Sequence, residues 1–276
     1  MNQNPEIAQQ LTVGNITTNY HDQGTGFPVT LLHGSGAGVT AWANWRGAIP
    51  VLAAQRRVIA PDLVGFGYTE APADLEYTLM DTWVDQIIGL LDALKIERTD
   101  LVGNSFGGTL SLALAIRHPE RIRRIVLMGS GGQPFPFTPE LDALWGYTPS
   151  IENMKKILDI MAFDRSIVTD ELAELRYRAT ARPGVQERFE KVFPPPRQRW
   201  CDAQIMSDAD LAKLQNEVLI IHGRDDRVVP LDVSLKLAAK IDRSQLHVFG
   251  RCGHWTQIEH GARFIKLVQD FLAEAD

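Results

Sequence analysis

A chain of 276 residues that is 45% apolar and 22% charged is long enough to bury a large core and too apolar to stay disordered. Its net charge of −6, with Lys and Arg scattered along it, leaves no basic stripe for a phosphate backbone and excludes nucleic acid as the expected partner. No apolar run approaches the roughly 20 residues of a membrane helix, and the first twenty residues lack a basic and apolar leader pattern, so a cytoplasmic protein without membrane contact is expected.

In chain order, LTVGNITTNYHDQG (11–24) alternates apolar and polar residues as a half-exposed edge hairpin does. PVTLLHG (28–34) and RVIAPDLVG (57–65) are β-rich runs that end in glycine or a polar turn. TLMDTWVDQIIGLLDALKI (78–96) repeats apolar residues at three and four and predicts a helix. TDLVGNS (99–105), a strand, runs directly into the helical SFGGTLSLALAIRH (105–118), and RIVLMGSGG (124–132) follows as the sixth strand. From 133 to 207 no strand-like run occurs. Pro134, Pro136, Pro139, the run Pro194 to Pro196 and amphipathic helices such as ELAELRYRATAR (171–182) stand there instead, and predict a helical lid inserted after the sixth strand. EVLIIHGRDD (217–226) and QLHVFGRCGH (245–254) complete eight strands. Near-continuous apolar strands alternating with helices predict an α/β fold. Its sheet should be mostly parallel and covered on both faces, with residues 1–132 and 208–276 as core and 133–207 as lid.

Ligands meet such a sheet at the carboxyl ends of its strands. Ser105 lies at one of these, among Gly103, Gly107 and Gly108, which is the pattern of a strained turn that lifts a nucleophilic serine into the open. The same residues also read as a glycine turn with a serine cap on the next helix. A serine nucleophile needs a base and an orienting carboxylate. His254, on the glycine-flanked loop after the last strand, is the candidate base, with His260 as rival in the following helix. Asp225 and Asp226 end the preceding strand, either of them a candidate carboxylate or both a turn pair. The order Ser, Asp, His at three strand ends is that of an α/β hydrolase. A developing oxyanion also needs backbone N–H donors; Phe106, directly after the serine, supplies one, and Ser35 or Gly36 of the loop His33-Gly34-Ser35-Gly36 the other. That glycine-rich loop, with Asp62 closing the next strand, also resembles a dinucleotide fingerprint, but its third glycine comes one residue early. The two cysteines, Cys201 and Cys252, fit neither a metal spacing nor a disulfide framework, and no H-E-x-x-H or clustered Cys/His set occurs, so no metal or cofactor is expected.

HGSGAGVTAWANW, VGNSFGG, HGRDDRVVP and HVFGRCGHWTQIEH, in that order, carry a more specific resemblance. Along nearly its full length the chain resembles the meta-cleavage product hydrolases, serine-dependent carbon–carbon bond hydrolases of aromatic degradation, in particular those of the alkylbenzene pathways. The resemblance implies Asp226 as the triad carboxylate, at the fourth place of GRDD, and Arg176 as the guanidinium for the substrate carboxylate, with Arg178 and Arg182 as competing neighbours. It places Gly34, Asn44, Asn104 and Trp255 against the substrate. Phe135, Leu141, Trp145, Phe163 and Val228, on lid or loop stretches, are candidate walls for the C6 substituent, or simply core. The implied substrate is a 2-hydroxy-6-oxohexa-2,4-dienoate, which ketonises by taking a proton at C5 before the C5–C6 bond breaks. The implied assembly is a homo-oligomer. A serine esterase or perhydrolase on the same scaffold, and a catalytically idle binding protein, are the other readings; a carboxylate clamp argues against the former and an intact triad against the latter.

Overall fold

A computed structural model of the protein describes residues 4–78 and 80–274. Eight strands form one sheet: β1 (Gln9–Val13), β2 (Ile16–Gln23), β3 (Pro28–Leu32), β4 (Arg57–Pro61), β5 (Thr99–Asn104), β6 (Ile122–Met128), β7 (Glu217–Gly223) and β8 (Ser244–Phe249). Their spatial order is β1-β2-β4-β3-β5-β6-β7-β8. β1 and β2 form the expected edge hairpin, closed by Gly14 at φ +59° and paired from Gln9 with Tyr20 to Val13 with Ile16. β2 joins β4 antiparallel, and every later pairing is parallel.

The two faces of this sheet are separated by the period of two that side chains follow along a strand. Val29 and Leu31, Val58 and Ala60, Val126 and Met128, and Leu219 and Ile221 point to one face. There they meet helices α1 (Ala41–Trp45) and α2 (Ile49–Ala53), joined by Phe264, Val268 and Phe271 near the C-terminus. Leu32, Ile59, Leu101, Ile125, Leu127, Val218 and Ile220 point to the other, under α3 (Asp81–Ala93) and α4 (Phe106–Arg117).

Between β6 and β7 the chain forms α5 (Pro139–Trp145), α6 (Ile151–Met161), α7 (Asp170–Thr180), α8 (Val185–Val192), α9 (Gln198–Asp202) and α10 (Asp208–Leu211). Helices α5, α6 and α7 each start at a hydroxyl cap, Thr138, Ser150 and Thr169, which accepts an N–H of the first turn and stabilises the start by about 1 kcal/mol. Their apolar faces, including Leu141, Leu144, Trp145, Ile157 and Leu158, belong to the same buried cluster as Phe106 and Leu110 of α4. These helices therefore lie over the carboxyl end of β5 and share one core with the sheet. The chain ends in α11 (Leu231–Lys240), α12 (Thr256–Glu259) and α13 (Gly261–Ala273). Among the described residues no helix is long and apolar enough to cross a membrane.

Candidate active site

Ser105 follows β5 at φ +53° and ψ −116°, a backbone conformation that costs a side-chain-bearing residue roughly 1–3 kcal/mol. Two glycines allow the turn to close. A Cβ on Gly103 would stand 2.3 Å from the Gly107 carbonyl oxygen, and one on Gly107 would stand 2.3 Å from that of Leu32. The Ser105 N–H donates to the Met128 carbonyl at 2.8 Å, while its own carbonyl starts α4 by accepting from Gly108 and Thr109. The Ser105 hydroxyl caps no N–H of α4. The helix-cap alternative therefore falls, and the hydroxyl is left facing a cavity.

Asp226 and His254 arrive from the ends of β7 and β8. His254 Nδ1 donates to Asp226 Oδ2 at 2.6 Å, with both side chains buried. The other oxygen, Oδ1, accepts the N–H groups of Val228 at 2.8 Å and Val229 at 3.0 Å. Burial pushes the Asp226 carboxyl upward, but the charge and hydrogen bond of His254, the nearby His222 and the backbone donors outweigh it and hold the group below its ordinary range. The rivals have other tasks. Asp225 accepts the Cys252 N–H at 3.3 Å and donates its own N–H to the Cys252 carbonyl, which pins the loop carrying His254. His260 stacks on Phe249 at 4.7 Å between centroids.

Ser105 and His254 line one cavity with Gly34, Ser35, Gly36, Asn44, Asn104, Arg176, Leu141, Val228 and Trp255. Ser105, Ser35 and Leu141 also border a second, apolar pocket, walled by Phe106, Phe135, Trp145, Cys201 and Val229, with Gln204 at its side. The serine thus stands at the junction of two cavities: one holds the polar Asn44, Asn104 and Arg176 beside Leu144, Met154, Ile157 and Leu158 (the polar arm), and the other is walled mainly by apolar side chains (the apolar arm). In the polar arm Arg176 Nη1 and Asn44 Nδ2 are buried with no hydrogen-bond partner, an arrangement that calls for ligand oxygens. Asn104 Nδ2 makes only a long 3.4 Å bond to the Met128 carbonyl. Of the three arginines Arg176 alone lines this cavity; Arg178 and Arg182 line only the outer one.

The loop after β3 is shaped by a residue whose task the sequence did not disclose. His33 is fully buried, and burial drives its pKa down to about 4, so the ring is neutral. Its Nδ1 donates to the Gly34 carbonyl at 2.6 Å and its Nε2 accepts the Leu63 N–H at 2.9 Å, which fixes both the tautomer and the path of Gly34 to Gly36. Trp145 Nε1 donates to Ser35 Oγ at 3.0 Å and ties α5 to the same loop. The Phe106 N–H opens α4 and has no acceptor within the helix.

Asp62 closes the dinucleotide reading. Its buried carboxylate accepts from Ala41 N–H at 2.6 Å, Tyr68 N–H at 2.8 Å and Asn19 Nδ2 at 2.8 Å, so it braces three segments rather than facing a ribose. Phe163 requires a correction. It is 40% exposed and walls neither cavity, because Glu259 takes the N–H groups of Phe163 and Asp164 just past the end of α6 and the ring lies outside under Arg251. Cys201 lies in the apolar arm with its thiol pushed up to about 12 by burial, so it is a wall and not a thiolate. Gln204, Met154 and Leu158 also line the cavities and carry no motif that marks them. No group of three or more His, Cys, Asp or Glu arranged to hold a metal occurs among the described residues.

The fold and the Ser–His–Asp arrangement define a hydrolase of the α/β class, and residues 28–261 match the family model described as alpha/beta hydrolase fold. Among curated relatives, the 2-hydroxymuconate semialdehyde hydrolase of Pseudomonas sp. strain CF600 is 62% identical over 99% of this chain and 96% of its own. The 2-hydroxy-6-oxo-2,4-heptadienoate hydrolase of Pseudomonas putida is 59% identical over 100% and 99%. The solved meta-cleavage product hydrolase of Pseudomonas fluorescens IP01 superposes with a TM-score of 0.97 at 59% identity, covering 99% of this chain and all of that one. The chain belongs to the meta-cleavage product hydrolases of the α/β-hydrolase family, enzymes that hydrolyse carbon–carbon bonds in ketonic substances.

Proposed function

We propose that the enzyme cleaves the C5–C6 bond of 2-hydroxy-6-oxohexa-2,4-dienoates bearing a small C6 substituent. One observation carries this reading: a serine, with a histidine already paired to a buried carboxylate, faces the same cavity as an unpartnered buried guanidinium and amide. An ester needs the first set and not the second. In this reading Arg176 takes the C1 carboxylate through its planar fork, and Asn44 and Asn104 hydrogen-bond the polar end near C2. Gly34 and Trp255 line the same stretch, and the apolar arm of Phe135, Leu141 and Trp145, with Val228 beside it, receives the C6 group.

The C2 hydroxyl loses its proton and C5 gains one, so that the C2 ketone, conjugated through C3 and C4, can accept the electrons of the breaking bond. His254 then takes the proton of Ser105 or of a water as oxygen adds to the C6 carbonyl. The N–H groups of Phe106 and of Ser35 or Gly36 hold the oxyanion, and Asp226 stabilises the imidazolium. Collapse breaks C5–C6, the electron pair runs to the C2 oxygen, which takes up the proton held by His254, and 2-hydroxypenta-2,4-dienoate leaves. Where water added, the C6 fragment departs directly as a carboxylic acid; where Ser105 added, it stays as an acyl-serine that a second water, deprotonated by His254, hydrolyses to the acid. Residues 133–207 act as a lid over this site. A cytoplasmic homo-oligomer is the proposed working form, in line with the family resemblance and the composition.

Bleaching of the visible absorbance of the 6-methyl dienoate, compared with its 6-isopropyl and 6-phenyl analogues, tests the reading. Fast loss of the methyl compound and slow loss of the phenyl compound is the expected order, since relatives at 59% and 62% identity are named for the heptadienoate and the semialdehyde. Ser105→Ala should abolish turnover and keep binding. Ester hydrolysis with no bleaching of any dienoate would replace the reading by that of an esterase.

A further inference from the structure

A larger cavity, of about 820 Å³, lies outside the one at Ser105 and shares Asn44, Arg176 and Trp255 with it. One wall is α7, the other is the N-terminal stretch Asn4, Pro5 and Glu6 together with α1 and the turn after it, and Gln257 and Ile258 of α12 close the side. Four arginines line this vestibule, Arg46, Arg176, Arg178 and Arg182, against the single carboxylate of Glu6. Of the four, Arg178 is ion-paired, to Glu174 at 2.7 Å. Arg182 lies 3.8 Å over the Tyr68 ring and donates to the carbonyls of Ala179 and Gly67, contacts that hold its position without neutralising its charge. The Arg46 side chain is exposed and has no hydrogen-bond or ion-pair partner among the described residues. Both polar atoms of the Gln257 amide are buried and unpartnered, as Arg176 Nη1 and Asn44 Nδ2 are further in. Cations thus collect at one mouth of a molecule whose net charge is −6, and unsatisfied donors continue from there toward Ser105.

We propose that this vestibule is the path by which the carboxylate-bearing substrate reaches Ser105, with Arg46 and Arg182 drawing it in and Gln257 holding its carboxylate before Arg176 does. The inference rests on the dienoate reading of the site. Glu6 opposes the field of the arginines, so its removal and the reversal of Arg46 act in opposite directions.

Stopped-flow association of the 6-methyl dienoate with the Ser105→Ala protein, followed by quenching of tryptophan fluorescence, tests the proposal, since Trp42 and Trp255 line the vestibule. The association rate constant should fall roughly tenfold as salt rises from about 0.02 M to about 0.5 M. Arg46→Glu in that background should slow low-salt association by about three- to tenfold and flatten the salt dependence, and Glu6→Gln should speed it. With Ser105 intact, both substitutions should leave turnover of p-nitrophenyl acetate, a neutral ester, unchanged, which establishes that they fold. Association indifferent to salt, or Arg46→Glu and Glu6→Gln moving the rate in the same direction or not at all, would overturn the proposal while the dienoate reading stands. No binding of the dienoate at all would overturn both.

Discussion

Asp226→Asn changes one atom of the Ser105 site and should cost nearly all of its activity. Asp226 Oδ1 accepts the Val228 and Val229 N–H groups at 2.8 and 3.0 Å, and an asparagine carbonyl oxygen keeps both bonds. The new amide NH2 then faces His254 Nδ1, where the carboxylate accepted a proton at 2.6 Å. Two donors cannot share that contact, so the imidazole must present a bare Nδ1 and carry its proton on Nε2, the nitrogen that has to take the proton from the nucleophile. The loss expected for such a tautomer reversal is about ten-thousand-fold in kcat, or about 5.5 kcal/mol of barrier. Because the backbone bonds survive, the denaturant midpoint should change little. Initial rates of bleaching of the 6-methyl dienoate measure the first quantity and urea unfolding the second. Asp225→Asn is the internal comparison, since that side chain accepts the Cys252 N–H at 3.3 Å and a long bond from Arg224 at 3.4 Å but nothing from His254, and its rate should stay within about threefold of the parent. An Asp226→Asn enzyme with activity within tenfold of the parent, or a larger loss in Asp225→Asn, would refute the assignment.

Arg176→Gln should raise KM for the dienoate by roughly 30- to 1,000-fold, the worth of a lost charge-assisted fork of about 2–4 kcal/mol, and leave p-nitrophenyl acetate hydrolysis nearly unchanged; equal losses on both substrates would indicate a folding defect. Gly107→Ala should prevent the turn from closing, because its Cβ would meet the Leu32 carbonyl at 2.3 Å, and thermal unfolding should show a loss of several kcal/mol together with inactivity. A buried His33 at about 4 and a buried Asp62 at about 6 act oppositely on acid stability. The lowered histidine contributes stability that is present above 6.5 and lost as pH falls toward 4, whereas the raised carboxyl favours the folded state in acid and loses that advantage as pH rises through 6. Asp62→Asn should therefore uncover a fall of about 3 kcal/mol between pH 7 and pH 4 in urea titrations, relative to the parent protein's own change over that range.

The parts of this site that were legible in the sequence are those whose chemistry forces a local pattern. A serine on a positive-φ turn demands glycines beside it, and a parallel sheet delivers its ligand-facing residues at strand ends, so Ser105, Asp226 and His254 are marked by their neighbours as well as by themselves. The alternating exposure of the first hairpin and the apolar runs of the parallel strands were legible for the same reason. Phe163 was not, because its direction is decided by Glu259, some hundred residues away, and no local period reports that contact. Asp225 and Asp226 carry identical side chains on adjacent residues, so the local pattern left both open and the family resemblance pointed to Asp226; in the fold Asp225 faces Cys252 and Asp226 faces His254. Glu6, Tyr68 and Arg46 come together with α7 through tertiary packing alone, so the vestibule has no signature in any one segment.

The most direct test of the central claim is product analysis of the 6-methyl dienoate after complete bleaching by the enzyme. The account predicts one equivalent of 2-hydroxypenta-2,4-dienoate and one of acetate for each substrate consumed, and none of either with Ser105→Ala. Bleaching that leaves the seven-carbon backbone intact, or fragments formed as fast without Ser105, would contradict it.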